Sequence, residues 1–370
     1  MSNGDLDKLR QQIDAIDSEM LRLLSQRARC AQQVAEVKLR EIEEQDGKVD
    51  LTKVMFYRPE REAQVLRRIM DANPGPLPDE AVARIFREVM SACLALERPM
   101  EVAYFGPEGT FTHAATLKHF GNSVIAIPSP SIAHVFTQVE SGQCQYGVVP
   151  VENSTEGMVN HTIDNFMNSP LKICGEVEVR IQLHLLVNAR TDASKVRKIV
   201  AHQQALAQAR NWLDANWPLV ERVAVASNAE GARMAAAEDG VAAVAGDMAA
   251  DQYQLSKLAT NIEDYANNTT RFLVIGKEWV PPSGRDKTSI IVSTHNRPGA
   301  LYRLLEPFEK AGISLTRIDT RPSRTQNWAY VFFIEFEGHQ EDAPIRAILS
   351  EIEEKSLMLK PLGSYPRAVI

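Results

Sequence analysis

At 370 residues the chain is too long for one core and predicts two or three domains. Hydrophobic residues make up 44% and charged residues 24%, the balance of a soluble globular protein. The formal net charge of -7 excludes a bulk basic field for nucleic acid or anionic lipid, so positive charge for an anionic ligand must be gathered locally. Met1 to Arg10 is polar, without the apolar core of a signal peptide, and no run approaches ~18 uninterrupted apolar residues, so no membrane span is expected. Cys30, Cys93, Cys144 and Cys174 are scattered, with no CxxC pair and no metal-like spacing. They read as reduced thiols of a cytoplasmic protein.

In chain order, Leu6, Leu9, Ile13, Ile16, Met20, Leu23, Leu24, Ala31 and Val34 recur at three- and four-residue steps. That stripe predicts one unusually long amphipathic helix of roughly 50 Å, which a small domain cannot cover and which implies a partner chain. A second helix is expected from Pro59 to about Asp71 and a third from Asp79, read as an N-cap, to Glu97. The polar bend from Glu41 to Tyr57 is expected to be mobile. Arg27 and Lys38 fall in the middle of the apolar stripe, about three turns apart and on one side. An unpaired buried cation costs several kcal/mol, so either an anion sits there or the two charges snorkel or pair with acids of neighbouring helices. Arg10 lies at the margin of the stripe, too far along the rod to share that pocket within its own chain. Cys93 and Glu97 share a face of the third helix, and the second opens with Arg58, Pro59, Glu60, Arg61 and Glu62.

From Met100 the texture changes. Runs at 102–105, 124–127, 146–151 and 242–246 read as buried strands, with helices at Ile132 to Ser141, Leu206 to Asn216 and Ala229 to Ala237 between them. The alternation predicts α/β architecture with mainly parallel sheets, and Val177 to Val187 reads as a crossover between two lobes. GPEGTFTHAA (106–115), VPVENSTEGMV (149–159) and NNTTRF (267–272) all lie at strand ends, where open α/β sheets place ligands. After the linker at 279–287 come a strand at 288–294, a helix at 296–312, strands at 313–322 and 328–338, a helix from Asp342 to Glu354, and a last strand near Met358 to Leu362. This order fits a ferredoxin-like module.

Arg10, Arg27, Lys38, Arg61–Glu62 and the SACLALE run resemble the all-helical chorismate mutase family, in which two intertwined three-helix chains share two sites. The resemblance implies that Arg27, Lys38 and Arg10 of a second copy hold the substrate carboxylates. It implies that Arg61 and Glu62 hold the ring hydroxyl, and that Glu97 with Lys38 stands at the ether oxygen. Cys93 occupies a position often Ser, and the bend before Tyr57 is longer than usual. A unimolecular rearrangement needs positioning and charge stabilisation only, and Glu97 helps if protonated. The ENSTEG and TTRF runs resemble prephenate dehydratase, a two-lobed, periplasmic-binding-protein-like α/β fold. The resemblance implies catalysis by Thr270 and substrate binding by Thr110, Asn153, Ser154, Thr155, Arg271 and Phe272. Arg271 either pairs with a substrate carboxylate or braces Glu263 or Asp264. AHQQALAQ (201–208) departs from the Ser-His-Pro-Gln usual there, which keeps His202 and Gln203 out of the catalytic set; His113 and His161 read as loop or cap residues. NRPGAL (296–301) and TRIDTRPSR (316–324) resemble the ACT regulatory domain. By that pattern Gly299, Ala300, Leu301, Asp319, Thr320 and Arg321 take an amino-acid effector, L-phenylalanine, with Asp319 and Thr320 where Glu-Ser is usual.

Together these resemblances imply domains at 1–98 (all-α), 100–278 (two-lobed α/β) and 286–367 (α+β). The expected function is rearrangement of chorismate and dehydration of prephenate under phenylalanine feedback, with no cofactor or metal, in a homo-oligomer. The rival is a non-enzymatic amino-acid-sensing regulator on a helical dimerisation rod.

Overall fold

The structure, a computed structural model, describes residues 3–46, 57–294, 297–322 and 330–370. No Gly or Pro interrupts the chain from Asp5 to Asp46, and α1 (Asn3–Asp46) runs as one helix of 44 residues, about 66 Å long. Most of its apolar stripe stands in solvent: Ile16 is 60% and Ile13 56% exposed, with Leu9 and Met20 also exposed. Nearer its C-terminus it packs on α3, where Ala35 is buried. Of the expected bend, residues 47–56 lie outside the described residues. Pro59 opens α2 (Pro59–Asp71), as a residue with fixed φ and no N–H suits a first turn. In α3 (Asp79–Glu97) the cap is Pro78, not Asp79 as expected. Asp79 is the first helical residue, and its Oδ1 accepts from Asn73 Nδ2 at 2.7 Å, which draws it away from the N–H groups it would cap.

Two α/β lobes follow. The first holds β1 (Glu101–Phe105), α4 (Phe111–Phe120), β2 (Ile125–Ser129), α5 (Ile132–Ser141), β3 (Tyr146–Asn153), β4 (Gly157–Met158), α6 (Asn160–Asn168) and β5 (Lys172–Arg180). The second holds β6 (His184–Val187), β7 (Lys198–His202), α7 (Gln203–Gln208), α8 (Arg210–Asn216), β8 (Glu221–Val225), α9 (Asn228–Ala237), β9 (Val241–Ala245), α10 (Asp247–Gln252) and β10 (Ser256–Ala259). The chain then returns to the first sheet as β11 (Thr269–Gly276). The sheets run β2-β1-β3-β11-β5, with β4 beside β3, and β10-β6-β9-β7-β8.

These sheets are mixed, which corrects the expectation of mainly parallel pairing. Strands joined by crossover helices, such as β1 with β2 and β7 with β8, pair in parallel. β11 enters from the other lobe with no helix over its own sheet, and it pairs antiparallel with both β3 and β5. The helix expected from Leu206 to Asn216 is two helices broken at Ala209. The Asp264 carboxylate accepts from Asn211 N and Trp212 N at 3.0 and 3.2 Å, which starts a new helix there.

The lobes are joined where β5 leads into β6 and where the chain returns to β11. The two connections run side by side: Ile181 N donates to Asn268 O and Ile262 N to Leu183 O, each at 2.8 Å. The stretch from Val177 to Val187 thus spans both sheets. Gly109, with φ of 83°, lets the loop after β1 approach the second lobe, since a Cβ there would stand 3.3 Å from Ala249 Cα.

The C-terminal module comprises β12 (Asp286–Thr294), α11 (Ala300–Ala311), β13 (Leu315–Pro322), β14 (Tyr330–Glu337), α12 (Ala343–Lys355) and β15 (Met358–Pro366). The antiparallel order β13-β14-β12-β15 is ferredoxin-like. Residues 296, 328 and 329 of the expected elements lie outside the described residues, and α11 starts only after Gly299. The last strand reaches Pro366 because β12 offers partners along its whole length. Strand residues alternate between faces. Ile290, Val292, Phe332 and Ile334 pack under α11 and α12, whereas Ile291, Val331, Phe333 and Tyr365 join the core of the first lobe. The helical block is also tied in. Tyr57 sits in the first lobe's second core beside Phe120 and Tyr146, at ring separations of 5.3 and 5.4 Å. Arg67 of α2 donates to Arg285 O at 3.0 Å and Arg367 O at 3.3 Å.

Candidate active sites

In the helical block, α1 and α3 bring Arg27, Lys38, Cys93 and Glu97 to one region. Arg27 Nη1 reaches Val89 O at 3.5 Å, and Cys93 is buried. Glu97 Oε2 is buried with no hydrogen-bond partner among the described residues. Burial raises the Glu97 carboxyl above its ordinary range, and the nearby charges of Lys38 and Arg27 pull the other way. A carboxyl with raised proton affinity beside two cations suits a dianion with a developing negative oxygen. Arg10 is exposed, paired with Asp7 at 3.5 Å, and about 42 Å along the rod from Lys38. Arg61 is exposed.

Glu62 is placed differently from expectation. Its carboxylate pairs with Arg87 Nε at 3.2 Å and lines the junction with the first lobe, near Tyr57 and His119. Arg87 also donates to Lys118 O at 2.8 Å. The partner of Glu62 lies on another helix, 25 residues away, which the composition of α2 alone does not reveal.

At the junction of the two lobes, Asn153 and Thr270 are directly opposed in the β3–β11 register. Asn153 Oδ1 accepts from Thr155 N at 3.0 Å, Thr155 Oγ1 at 2.6 Å and Glu156 N at 3.2 Å, a turn that fixes which end of the amide is which. Its Nδ2 therefore donates inward, to Thr270 Oγ1 at 2.8 Å and Asn268 Oδ1 at 2.9 Å. Ser154 is tied to the same strand end, its Oγ accepting from Thr269 N at 3.0 Å. Asn268, only 2% exposed, accepts through Oδ1 from Asn153 and from Ser154 Oγ at 3.4 Å. Its Nδ2 is left with no partner among the described residues. That unpartnered buried donor is a functional candidate that the sequence reading did not select. NNTTRF held the signal, but the direction of the amide depends on strand register. From the second lobe, Gln208 Nε2 reaches Thr155 Oγ1 and Glu156 Oε1, each at 3.4 Å.

Other expected residues are brought elsewhere. Thr110 caps α4, accepting from His113 N and donating to Pro107 O at 2.9 Å. His113 stacks on Tyr104, with centroids 4.8 Å apart, and burial lowers its pKa. His202 caps α7. Phe272 is 1% exposed within the core and offers a ligand no surface. Arg271 neither faces the cleft nor braces Glu263 or Asp264. It turns to the opposite face of β11 and pairs with Glu152, Glu176 and Glu335. Glu263 instead accepts from Leu183 N at 2.8 Å, and Asp264 caps α8.

In the C-terminal module, Gly299 caps α11 with φ of 75°, and Gly299, Ala300 and Leu301 line a cavity of about 250 Å³ with Arg297, Tyr330 and Phe332. Thr320 lies opposite Phe332. Asp319 and Arg321 do not reach that cavity. They share the face turned to the first lobe, where Asp319 pairs with Arg317 at 2.6 Å and Arg321 with Asp164 at 2.8 Å.

Residues 102–279 match the family model for prephenate dehydratase, residues 9–98 that for chorismate mutase type II, and residues 288–354 that for the ACT domain. A solved prephenate dehydratase from Arthrobacter aurescens, described in complex with L-Phe, superposes with a TM-score of 0.67 at 31% identity, covering 73% of this chain and 90% of its own. The bifunctional chorismate mutase/prephenate dehydratase of Neisseria gonorrhoeae is 50% identical across 98% of this chain and 97% of its own length. That of Pseudomonas aeruginosa is 56% identical across 99% and 98%. Mutase helices, two-lobed dehydratase and C-terminal ACT module in one continuous chain place this protein in the bifunctional chorismate mutase/prephenate dehydratase family.

Proposed function

We propose that the chain rearranges chorismate to prephenate at the Arg27–Lys38–Glu97 site and converts prephenate to phenylpyruvate at the Asn153–Thr270–Asn268 site. In the first step a C–O bond breaks as a C–C bond forms, with no nucleophile and no cofactor. Arg27 and Lys38 hold carboxylates, and Lys38 with a protonated Glu97 stabilises charge on the departing ether oxygen. Cys93 lies on the Glu97 face of α3. Arg10 serves from a second copy of the chain. The support for that copy is the long apolar stripe of α1 left in solvent, a surface that monomers rarely expose. The family pattern gives the ring hydroxyl to Arg61, which is exposed on α2.

In the second step the ring carboxylate leaves as carbon dioxide, its electron pair aromatises the ring, and the ring hydroxyl takes up a proton and departs as water. Asn153 Nδ2 occupies a lone pair of Thr270 Oγ1, which frees the Thr270 hydroxyl hydrogen to donate to that leaving group. A Thr hydroxyl is a poor acid, so it positions and relays a proton drawn from solvent. Asn268 Nδ2 is the donor for the remaining carboxylate and carbonyl, and Ser154 and Thr155, whose hydroxyl hydrogens go to Asn268 and Asn153, hold that turn in place. The single observation that carries this reading is the 2.8 Å bond from Asn153 to Thr270 at the junction of two lobes.

The C-terminal module takes L-phenylalanine through Gly299, Ala300, Leu301 and Thr320, and occupancy lowers dehydratase activity. Domain limits of 1–98, 100–278 and 286–367 fit this division of labour. Four unpaired cysteines suit a cytoplasmic setting. The test supplies chorismate alone to the purified chain and follows phenylpyruvate with and without L-phenylalanine. Product that falls when phenylalanine is added supports all three assignments. Product from prephenate but not from chorismate reduces the helical block to a dimerisation rod. Product from neither favours the non-enzymatic sensor.

A further inference from the structure

We propose that Arg271 is a positioning residue that ties the Asn153–Thr270 pair to the ACT sheet, and that its bond to Glu335 carries the effector's signal to the dehydratase site. The inference rests on the reading above of Thr270 and of the effector cavity.

Consecutive strand residues face opposite ways. Thr270 pairs with Asn153 and, one step on, Arg271 pairs with Glu152, so the reacting pair and the charged pair are the two faces of one stretch of ladder. The register shifts between Arg271 and Phe272, a bulge that loosens the ladder beside Thr270. On the charged face Arg271 is 7% exposed and meets Glu335 through both terminal nitrogens, at 2.6 and 3.0 Å. It also meets Glu176 at 3.2 Å and Glu152 at 3.3 Å. Lys287 of the ACT sheet reaches Glu176 at 2.9 Å, and Arg317 of that sheet pairs with Glu152. Burial opposes the charge of Glu335, yet the adjacent Arg271 holds its carboxyl below the ordinary range.

Two features make this cluster a route and not only a brace. Beside it lies a cavity of about 310 Å³, lined by Glu178, Thr269, Arg271, Lys287, Arg317 and Glu335, so the charges have room to re-pair. Glu335 also lies on β14, the strand whose Tyr330 and Phe332 line the effector cavity from the other face. A ligand that shifts β14 therefore moves Glu335, and through the bidentate bond it moves the Arg271–Thr270 segment.

The test uses the full chain, with prephenate as substrate and L-phenylalanine as probe, and reads the mutase rate of the same preparation as a check on folding. Glu335→Gln should raise the phenylalanine concentration for half inhibition at least tenfold and lower the dehydratase kcat with KM within twofold. Phenylalanine binding by calorimetry should stay within threefold of the parent. Tyr365→Phe removes one donor to Glu335, at 3.0 Å, and should move inhibition the same way by about two- to threefold. It decides the matter if Glu335→Gln does not fold. Unchanged inhibition in these variants overturns the inference, whether or not kcat falls, and so does loss of inhibition together with loss of binding. A parent chain inactive on prephenate would instead overturn the functional reading on which it rests.

Discussion

Thr270→Val exchanges one oxygen for a methyl group at nearly constant volume, so it separates the chemical role of the hydroxyl from its packing. In the parent, Asn153 Nδ2 uses its two hydrogens on Thr270 Oγ1 at 2.8 Å and Asn268 Oδ1 at 2.9 Å. The variant leaves one hydrogen unpaired beside a cleft that water enters. The lower end of the ~1–3 kcal/mol range for an unsatisfied donor then applies, about 1 kcal/mol, or roughly 2–4 °C in Tm for a domain of this size. Loss of a positioned proton donor in the transition state is larger, about 100- to 10000-fold in rate. Prephenate turnover is followed as phenylpyruvate formation, with chorismate mutase activity of the same sample as internal control. Thr270→Ser, which restores the oxygen, should recover most of the rate. A valine variant within threefold of the parent kcat, at unchanged mutase activity, would refute the role given to Thr270.

Glu97 works as a donor only when protonated, and its pKa is raised by burial. Mutase activity should therefore hold at low pH and fall as pH rises through that raised value, whereas Glu97→Gln should flatten that fall; a parallel profile in both proteins would count against the assignment. Ile16→Glu places a carboxylate in the exposed stripe of α1 and, in a paired rod, buries it at a cost of several kcal/mol. Sedimentation should show the chain shifting to monomer while mutase activity drops at least tenfold; an intact oligomer with full activity argues that the stripe is covered otherwise. Gly299→Ala forces a side chain into φ of 75°, with a Cβ 3.2 Å from Arg303 Nη1, a strain of about 1–2 kcal/mol. Titration should show the half-inhibiting phenylalanine concentration rising about five- to tenfold, and an unmoved titration curve would remove this turn from the effector site.

What the sequence revealed followed the range of the interactions concerned. Pro59 and Gly312 act on their own neighbours, so the bounds of α2 and the end of α11 were legible from residue type alone. Runs at strand ends pointed to Asn153 and Thr270, yet their meeting depends on a register between strands 117 residues apart in the chain. The same distance hid Asn268 as a donor. Arg271 shows the limit most clearly: neighbouring acids in sequence suggested a local brace, but its partners come from β3, β5 and β14. The break at Ala209 was equally invisible, because Asp264, which caps α8, belongs to the returning connection.

Tyr57 belongs to the helical block by sequence but to the dehydratase lobe by packing, 6% exposed, with its hydroxyl 3.1 Å from His119 Nε2. A cut between residues 98 and 99 would therefore not release two finished enzymes. It would leave the dehydratase half with a vacated aromatic socket lined by Phe120 and Tyr146, and the mutase half with a greasy ring and the Arg87–Glu62 pair newly wetted. To be inherited as independent pieces, each half would first need substitutions that close its own side of that wound.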